Sequence, residues 1–180
     1  MISFIGNRPA LQVGTHQVLD YDTIWLEDAL RRAAKAADHE DFPLVSEVRR
    51  GVDLYLENKC SLRLLDLEDL FERLRKMLTK MGCERIAQKL EPLAPPVTIS
   101  LVSTATHSGN GFELAFFESL RSQLVALRCA GAEKIYFTGI RESTMILCGE
   151  KKWSRRCDRL LPEIQAFLAS RDASPSLFCA

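Results

Sequence analysis

The chain has 180 residues, of which 47% are hydrophobic, and its 24 Lys and Arg balance 24 Asp and Glu to a formal net charge of zero. Such a composition supports one good core or two small ones and excludes extended disorder as the main state. Balanced charge excludes a global field that would steer the protein to nucleic acid or an anionic membrane, leaving only local patches.

Ala10–Val13 and His16–Leu19 are short apolar runs flanked by Gly6-Asn7-Arg8-Pro9 and Gly14-Thr15, so a hairpin is expected, with Ile2–Ile5 as a further strand. From Asp22 the period becomes helical through Ile24, Trp25, Ala29, Leu30 and Ala33, predicting a helix to Ala37. Val45, Val48, Val52, Tyr55 and Leu56 stripe a second element ending near Asn58. The strongest signal follows: Asp66 is a good cap, Glu68 and Asp69 suit a helix start, Leu70, Leu74 and Leu78 recur every four residues, and Gly82 can close the helix. Ile86 and Ala87 belong to a short fourth helix.

Three prolines at positions 92, 95 and 96 predict a stiff connector, so domains are expected at 1–91 and 97–180 with a linker over 92–96. Val97–Val102 reads as a strand, Ser103–Gly111 as a polar loop, Phe112–Cys129 as a long helix and Lys134–Ile140 as a second strand, parallel to the first. Helices over Ser143–Gly149 and Ser154–Ala169 follow, the second interrupted by Pro162, with a frayed tail from Arg171. The expected fold is α+β: a helical domain with a β-hairpin, then a small strand-helix-strand αβ domain. Two strands alone make a poor sheet, so this half is expected to take further strands from the N-terminal hairpin, from a segment with no strand signal of its own, or from a second copy of the chain, which makes a homodimer or another protein partner the expectation.

The order of the first half, with Tyr21-Asp22 before Trp25-Leu26, Ala29-Leu30 and Ala33, and with Gly82 four residues before Ile86-Ala87, resembles the ATP-cone family over about residues 1–91. That resemblance implies four helices under a small sheet and a regulatory domain that senses adenine nucleotides, with basic residues of the hairpin and first helix holding phosphates. The family's basic turn is replaced here by Leu11-Gln12-Val13-Gly14-Thr15-His16, and Trp25 stands where lysine is common. Arg8, His16, Arg31 and Arg32 are the nearby substitutes for those missing cations.

The resulting expectation is a non-enzymatic regulatory or interaction protein with ATP or another adenine nucleotide as a weak ligand. The alternative is a phospho-ligand or nucleotide-binding enzyme using Ser103, Thr104, His107, Ser108, Gly109, Asn110 and Gly111, where a loop after a strand meets a helix start. Lys151, Lys152, Trp153, Arg155, Arg156 and Arg159 form a basic stretch around an aromatic, whose charge excess is too small to favour nucleic acid. Six cysteines show no zinc or redox spacing, so no metal is expected and the thiols are read as reduced. No apolar run reaches membrane-spanning length, and Met1–Phe4 lacks a signal-peptide start, which makes a cytoplasmic location the expectation.

Overall fold

The computed structural model describes residues 8–39, 41–109 and 111–172. Among them are eight helices and five short strands in two units, Met1–Pro95 with Ala130–Ala132, and Pro96–Cys129 with Glu133–Ala180.

In the first unit, apolar and polar residues alternate along β1 (Ala10–Val13), so Leu11 and Val13 face inward and are buried. β2 (His16–Val18) returns antiparallel, opposing Val18 to Leu11. β3 (Leu64–Asp66) completes the sheet parallel to β1, with Leu65 opposite Leu11, giving the order β2-β1-β3. This third strand was not expected from the sequence. The Ile2–Ile5 strand lies outside the described residues.

Four helices bury one stripe each. α1 (Ile24–Ala36) buries Trp25, Leu26, Ala29, Leu30 and Ala33, and α2 (Val45–Asn58) buries Val45, Val48, Val52 and Leu56. α3 (Leu67–Lys80) starts at Asp66, whose side chain accepts from the Glu68 amide at 2.9 Å, and buries Leu70, Phe71, Leu74 and Leu78. Gly82 follows at φ +81°, a left-handed conformation that ends the helix before α4 (Glu84–Lys89). Trp25 and Phe71 join α1 to α3 with ring centroids 6.0 Å apart. Each fully buried leucine contributes about 1.5–3 kcal/mol over its exposed state, so these stripes hold the bundle. The proline-rich segment is packed as well: Leu93 and Ala94 are buried, and the Ala94 amide donates to the Gly131 carbonyl at 2.9 Å.

The second unit contains β4 (Val97–Ser100) and β5 (Ile135–Thr138), paired in parallel from Val97↔Ile135 to Ser100↔Thr138. Between them run α5 (Leu101–Ser108) and α6 (Glu113–Cys129), and after them α7 (Ile140–Cys148) and α8 (Arg155–Asp172). The parallel crossover agrees with expectation; its contents do not. The first strand stops at Ser100, and residues 101–108, expected as the strand's end and a polar loop, are helical. Ser100 caps the turn by accepting from the Ser103 amide at 3.3 Å. α7 starts three residues earlier than expected, and α8 runs through Pro162 without ending. The tail from Ala173 lies outside the described residues.

Val97, Ile99, Leu101, Ala105, Phe116, Leu120, Leu127, Leu147 and Ile164 form the core of this unit. Among the described residues, β4 and β5 acquire no third strand, and the hairpin belongs to the other sheet. No described helix is long and apolar enough to cross a membrane.

Candidate functional site

The first candidate site lies where the hairpin enters the bundle of the first unit. Arg8 precedes β1, and its guanidinium reaches α2, 3.1 Å from Asp53 Oδ1 and 2.5 Å from Glu57 Oε1, while its Nε donates to Glu57 at 3.1 Å. These carboxylates raise its pKa above the ordinary arginine value, the Glu57 hydrogen bond foremost. Tyr21 closes the corner by donating its hydroxyl to the Pro9 carbonyl at 2.8 Å. Burial pushes the Tyr21 hydroxyl up to about 12, against the opposing charge of Arg8. Thr23, 3% exposed, donates to Asp53 at 2.9 Å, so Asp53 serves both Arg8 and α1.

The other predicted cations lie elsewhere on this unit. Arg31 pairs with Glu27 at 2.9 Å along α1, and the same carboxylate holds Arg49 of α2 at 3.1 Å. The pairs Thr23–Asp53 and Glu27–Arg49 show that α1 and α2 run antiparallel. Arg31 is eight residues beyond Thr23, or about 12 Å along the helix from the corner that Arg8 occupies. Arg32 is exposed on the following position of α1. His16 sits half-buried at the hairpin turn, its Nδ1 3.2 Å from Thr15 Oγ1. Arg8, His16, Arg31 and Arg32 thus do not converge on one point, and Arg8 and Arg31 carry carboxylate partners.

The second predicted site is changed by α5. Thr104, Thr106 and Ser108 turn their hydroxyls back onto the carbonyls of Ser100, Val102 and Thr104, at 3.4, 2.8 and 3.0 Å. His107 does the same: its Nδ1 lies 2.7 Å from the Ser103 carbonyl, which only accepts, so Nδ1 bears the proton. Thr104 Oγ1 also receives Gln123 Nε2 at 3.3 Å. Side-chain bonds to the preceding turn are the way serine and threonine satisfy themselves inside a helix. Residues 104–108 place their amides in a helical ladder rather than in a loop able to converge on an anion. The bend that follows has Gly109 at φ +83° and the Gly111 amide donating to the Leu147 carbonyl at 3.0 Å; Asn110 lies outside the described residues.

In the basic stretch, Arg141 stacks 4.4 Å above the Trp153 ring and Trp153 Nε1 donates to Asp158 at 2.6 Å. Arg156 pairs with Glu113 at 3.1 Å. One face of the indole is already covered by a cation, so the aromatic is engaged within the unit instead of being held out for a base.

Sequence reasoning missed Asp53, Glu57 and Thr23, whose roles depend on a partner some thirty to fifty residues away. It also missed a cavity of about 390 Å³ between the α1–α2 and α3–α4 connections, lined by His39, Asp41, Phe42, Pro43, Gly82, Cys83, Glu84, Arg85 and Ile86. These connections lie at the end of the bundle remote from the sheet, since α1 and α3 both start beside strands. The volume suits a small molecule, and the lining mixes an aromatic wall with both signs of charge. No group of three or more metal-binding side chains occurs among the described residues. No family model, curated protein or solved structure matches the chain.

Proposed function

We propose that the chain is a non-enzymatic regulatory or interaction protein, that its first unit is an ATP-cone-like module with an adenine nucleotide as a weak ligand, and that its partner is a second copy of the chain. The observation that carries this reading is the order of the first unit: a hairpin, then helices, with β3 added parallel to β1 above α1 to α4. The resemblance over Tyr21–Ala33 and Gly82–Ala87 implies four helices under a small sheet, and the hairpin followed by α1 to α4 supports that reading, while β3 is no part of what it implies.

Weak binding follows from the electrostatics. A triphosphate needs several charged donors, and here it must compete with Glu57 and Asp53 for Arg8 or with Glu27 for Arg31. A phosphate that takes Arg8 from Glu57 unties the hairpin from α2, which couples ligand to conformation. A partner for the second unit is supported by its two-stranded parallel sheet, where Thr98, Ser100, Tyr136 and Thr138 form an exposed face with Tyr136 57% accessible. Parallel sheets are ordinarily covered on both faces.

Thermal unfolding with millimolar ATP, ADP and dATP tests the ligand. A molecule that binds only the folded chain raises the midpoint by mass action. A rise with one nucleotide is expected, removed by Arg31→Ala/Arg32→Ala or by Arg8→Ala. A rise lost instead in Arg85→Ala places the ligand in the remote cavity, and no shift with any nucleotide overturns the sensor role.

A further inference from the structure

We propose that the cavity between the α1–α2 and α3–α4 connections is a binding site for a free α-amino acid with an apolar side chain, of the leucine or phenylalanine class. The inference uses none of the residues assigned to the nucleotide and is independent of that reading. Two helix closures of the same kind lead into the walls. At the end of α1, Asp38 takes a left-handed φ of 58°, its amide donates to the Lys35 carbonyl at 3.2 Å, and the His39 amide donates to the Ala34 carbonyl at 2.9 Å. At the end of α3, Gly82 takes φ +81°, its amide donates to the Thr79 carbonyl at 3.0 Å, and the Cys83 amide donates to the Leu78 carbonyl at 2.9 Å. This two-bond closure fixes the direction in which the chain leaves each helix. The walls are thus held by backbone bonds of their own, and little ordering is left for a ligand to offset.

The lining selects the chemistry of the ligand. Asp41, Glu84 and Arg85 are exposed around the cavity, and among the described residues none of the three side chains has a hydrogen-bond or ion-pair partner. With His39 neutral, two carboxylates face one guanidinium, so the lining has one negative charge in excess. That excess opposes phosphate and nucleotides, whose several negative charges would meet a single cation. It suits a molecule that carries both signs. An α-carboxylate matches the planar fork of Arg85 with two parallel hydrogen bonds, and an α-ammonium donates to Asp41 and Glu84. An amine alone leaves Arg85 as a repelling neighbour, and an acid alone does the same with the two carboxylates. Half-buried Phe42 and buried Ile86 supply an apolar wall for the ligand's side chain. The volume of about 390 Å³ lies at the small end of the roughly 300–1,000 Å³ usual for ligand sites, as a single amino acid requires.

Asp41 belongs to the α1–α2 connection, whereas Glu84 and Arg85 open α4. One bound molecule therefore ties the first helix pair of the unit to the second. The charged groups are open to solvent, which screens them, so affinity is modest, with a dissociation constant on the order of 1 mM.

The test titrates the full isotope-labelled chain with L-leucine and L-phenylalanine up to about 10 mM and follows the backbone amides of Asp41, Phe42, Gly82, Cys83, Arg85 and Ile86 by NMR. Saturable shifts centred on those amides are expected, with phenethylamine and 3-phenylpropionate each binding about tenfold more weakly than phenylalanine. Arg85→Ala should weaken phenylalanine about tenfold yet strengthen phenethylamine, because a repelling cation is gone; Asp41→Asn/Glu84→Gln should weaken phenylalanine and strengthen 3-phenylpropionate. Loss of structure alone would weaken every ligand together. No saturable shift at about 10 mM, or binding of the amine or the acid as tight as that of phenylalanine, overturns the proposal, as does ATP moving these amides in place of the amino acids. If a variant fails to fold, the comparison of ligands on the wild-type chain still decides.

Discussion

Arg8 Nη2 lies 2.5 Å from Glu57 Oε1, tying the residue that opens the hairpin to the last turn of α2. The tie is partly screened by solvent, since the two side chains are 26% and 43% exposed. Glu57→Gln keeps the shape and removes the charge, and we expect a stability loss of about 1 kcal/mol in urea unfolding, shrinking at high salt. Arg8→Ala costs more, because Asp53 then loses its cation too. A double-mutant cycle gives the coupling; a value of zero at low salt contradicts the tie.

Two glycines should respond in opposite directions to alanine. Gly51 is exposed inside α2, and a Cβ there meets nothing within 4 Å, so Gly51→Ala gains helix propensity and raises stability by about 0.5–1 kcal/mol. Gly131 has φ +86°, and a Cβ there meets the Pro92 carbonyl oxygen at 2.5 Å. Gly131→Ala therefore loses about 2 kcal/mol or more, as backbone strain and a clash against a packed segment combine. Thermal midpoints of the two variants, one above and one below wild type, check both.

Alkaline pH should destabilise the chain. Tyr21 is pushed from 10.0 up to about 12, and Cys148 from 9.0 up to about 11, by burial first in each case. Both groups are acids that hold their protons longer folded than unfolded, so between the unfolded and folded values the unfolded state has fewer protons and stability falls as pH rises. Urea midpoints should drop from pH 9 toward pH 12, and Tyr21→Phe should flatten the upper part of that fall. A midpoint that stays level across this window contradicts the buried state of both groups.

Much of the fold was legible because its signals are local. Asp66, the four-residue leucine spacing and Gly82 define α3 within a single stretch, and the β-branched runs at 97–100 and 135–138 announce strands without help from elsewhere. β3 was hidden because three residues before a helix cap carry no period of their own; its pairing with β1 comes from over fifty residues away. α5 was missed for a different reason. Ser103, Thr104, Thr106, His107 and Ser108 have modest helix propensity, and the helix holds because their side chains bond back to its carbonyls while α6 and α7 pack on it. The candidate site was the least legible part: Arg8 and Arg31 could be picked out as cations, but Asp53, Glu57 and Glu27, which neutralise them, became their neighbours only on folding.

Whether the chain works as a self-associating, nucleotide-responsive module is decided by sedimentation velocity of the full chain over about 1–100 μM, with and without millimolar ATP. A self-associating module approaches twice the monomer mass as concentration rises, and the midpoint of that approach moves when ATP is added. A single monomeric species at every concentration, unchanged by ATP, would contradict both halves of the proposal.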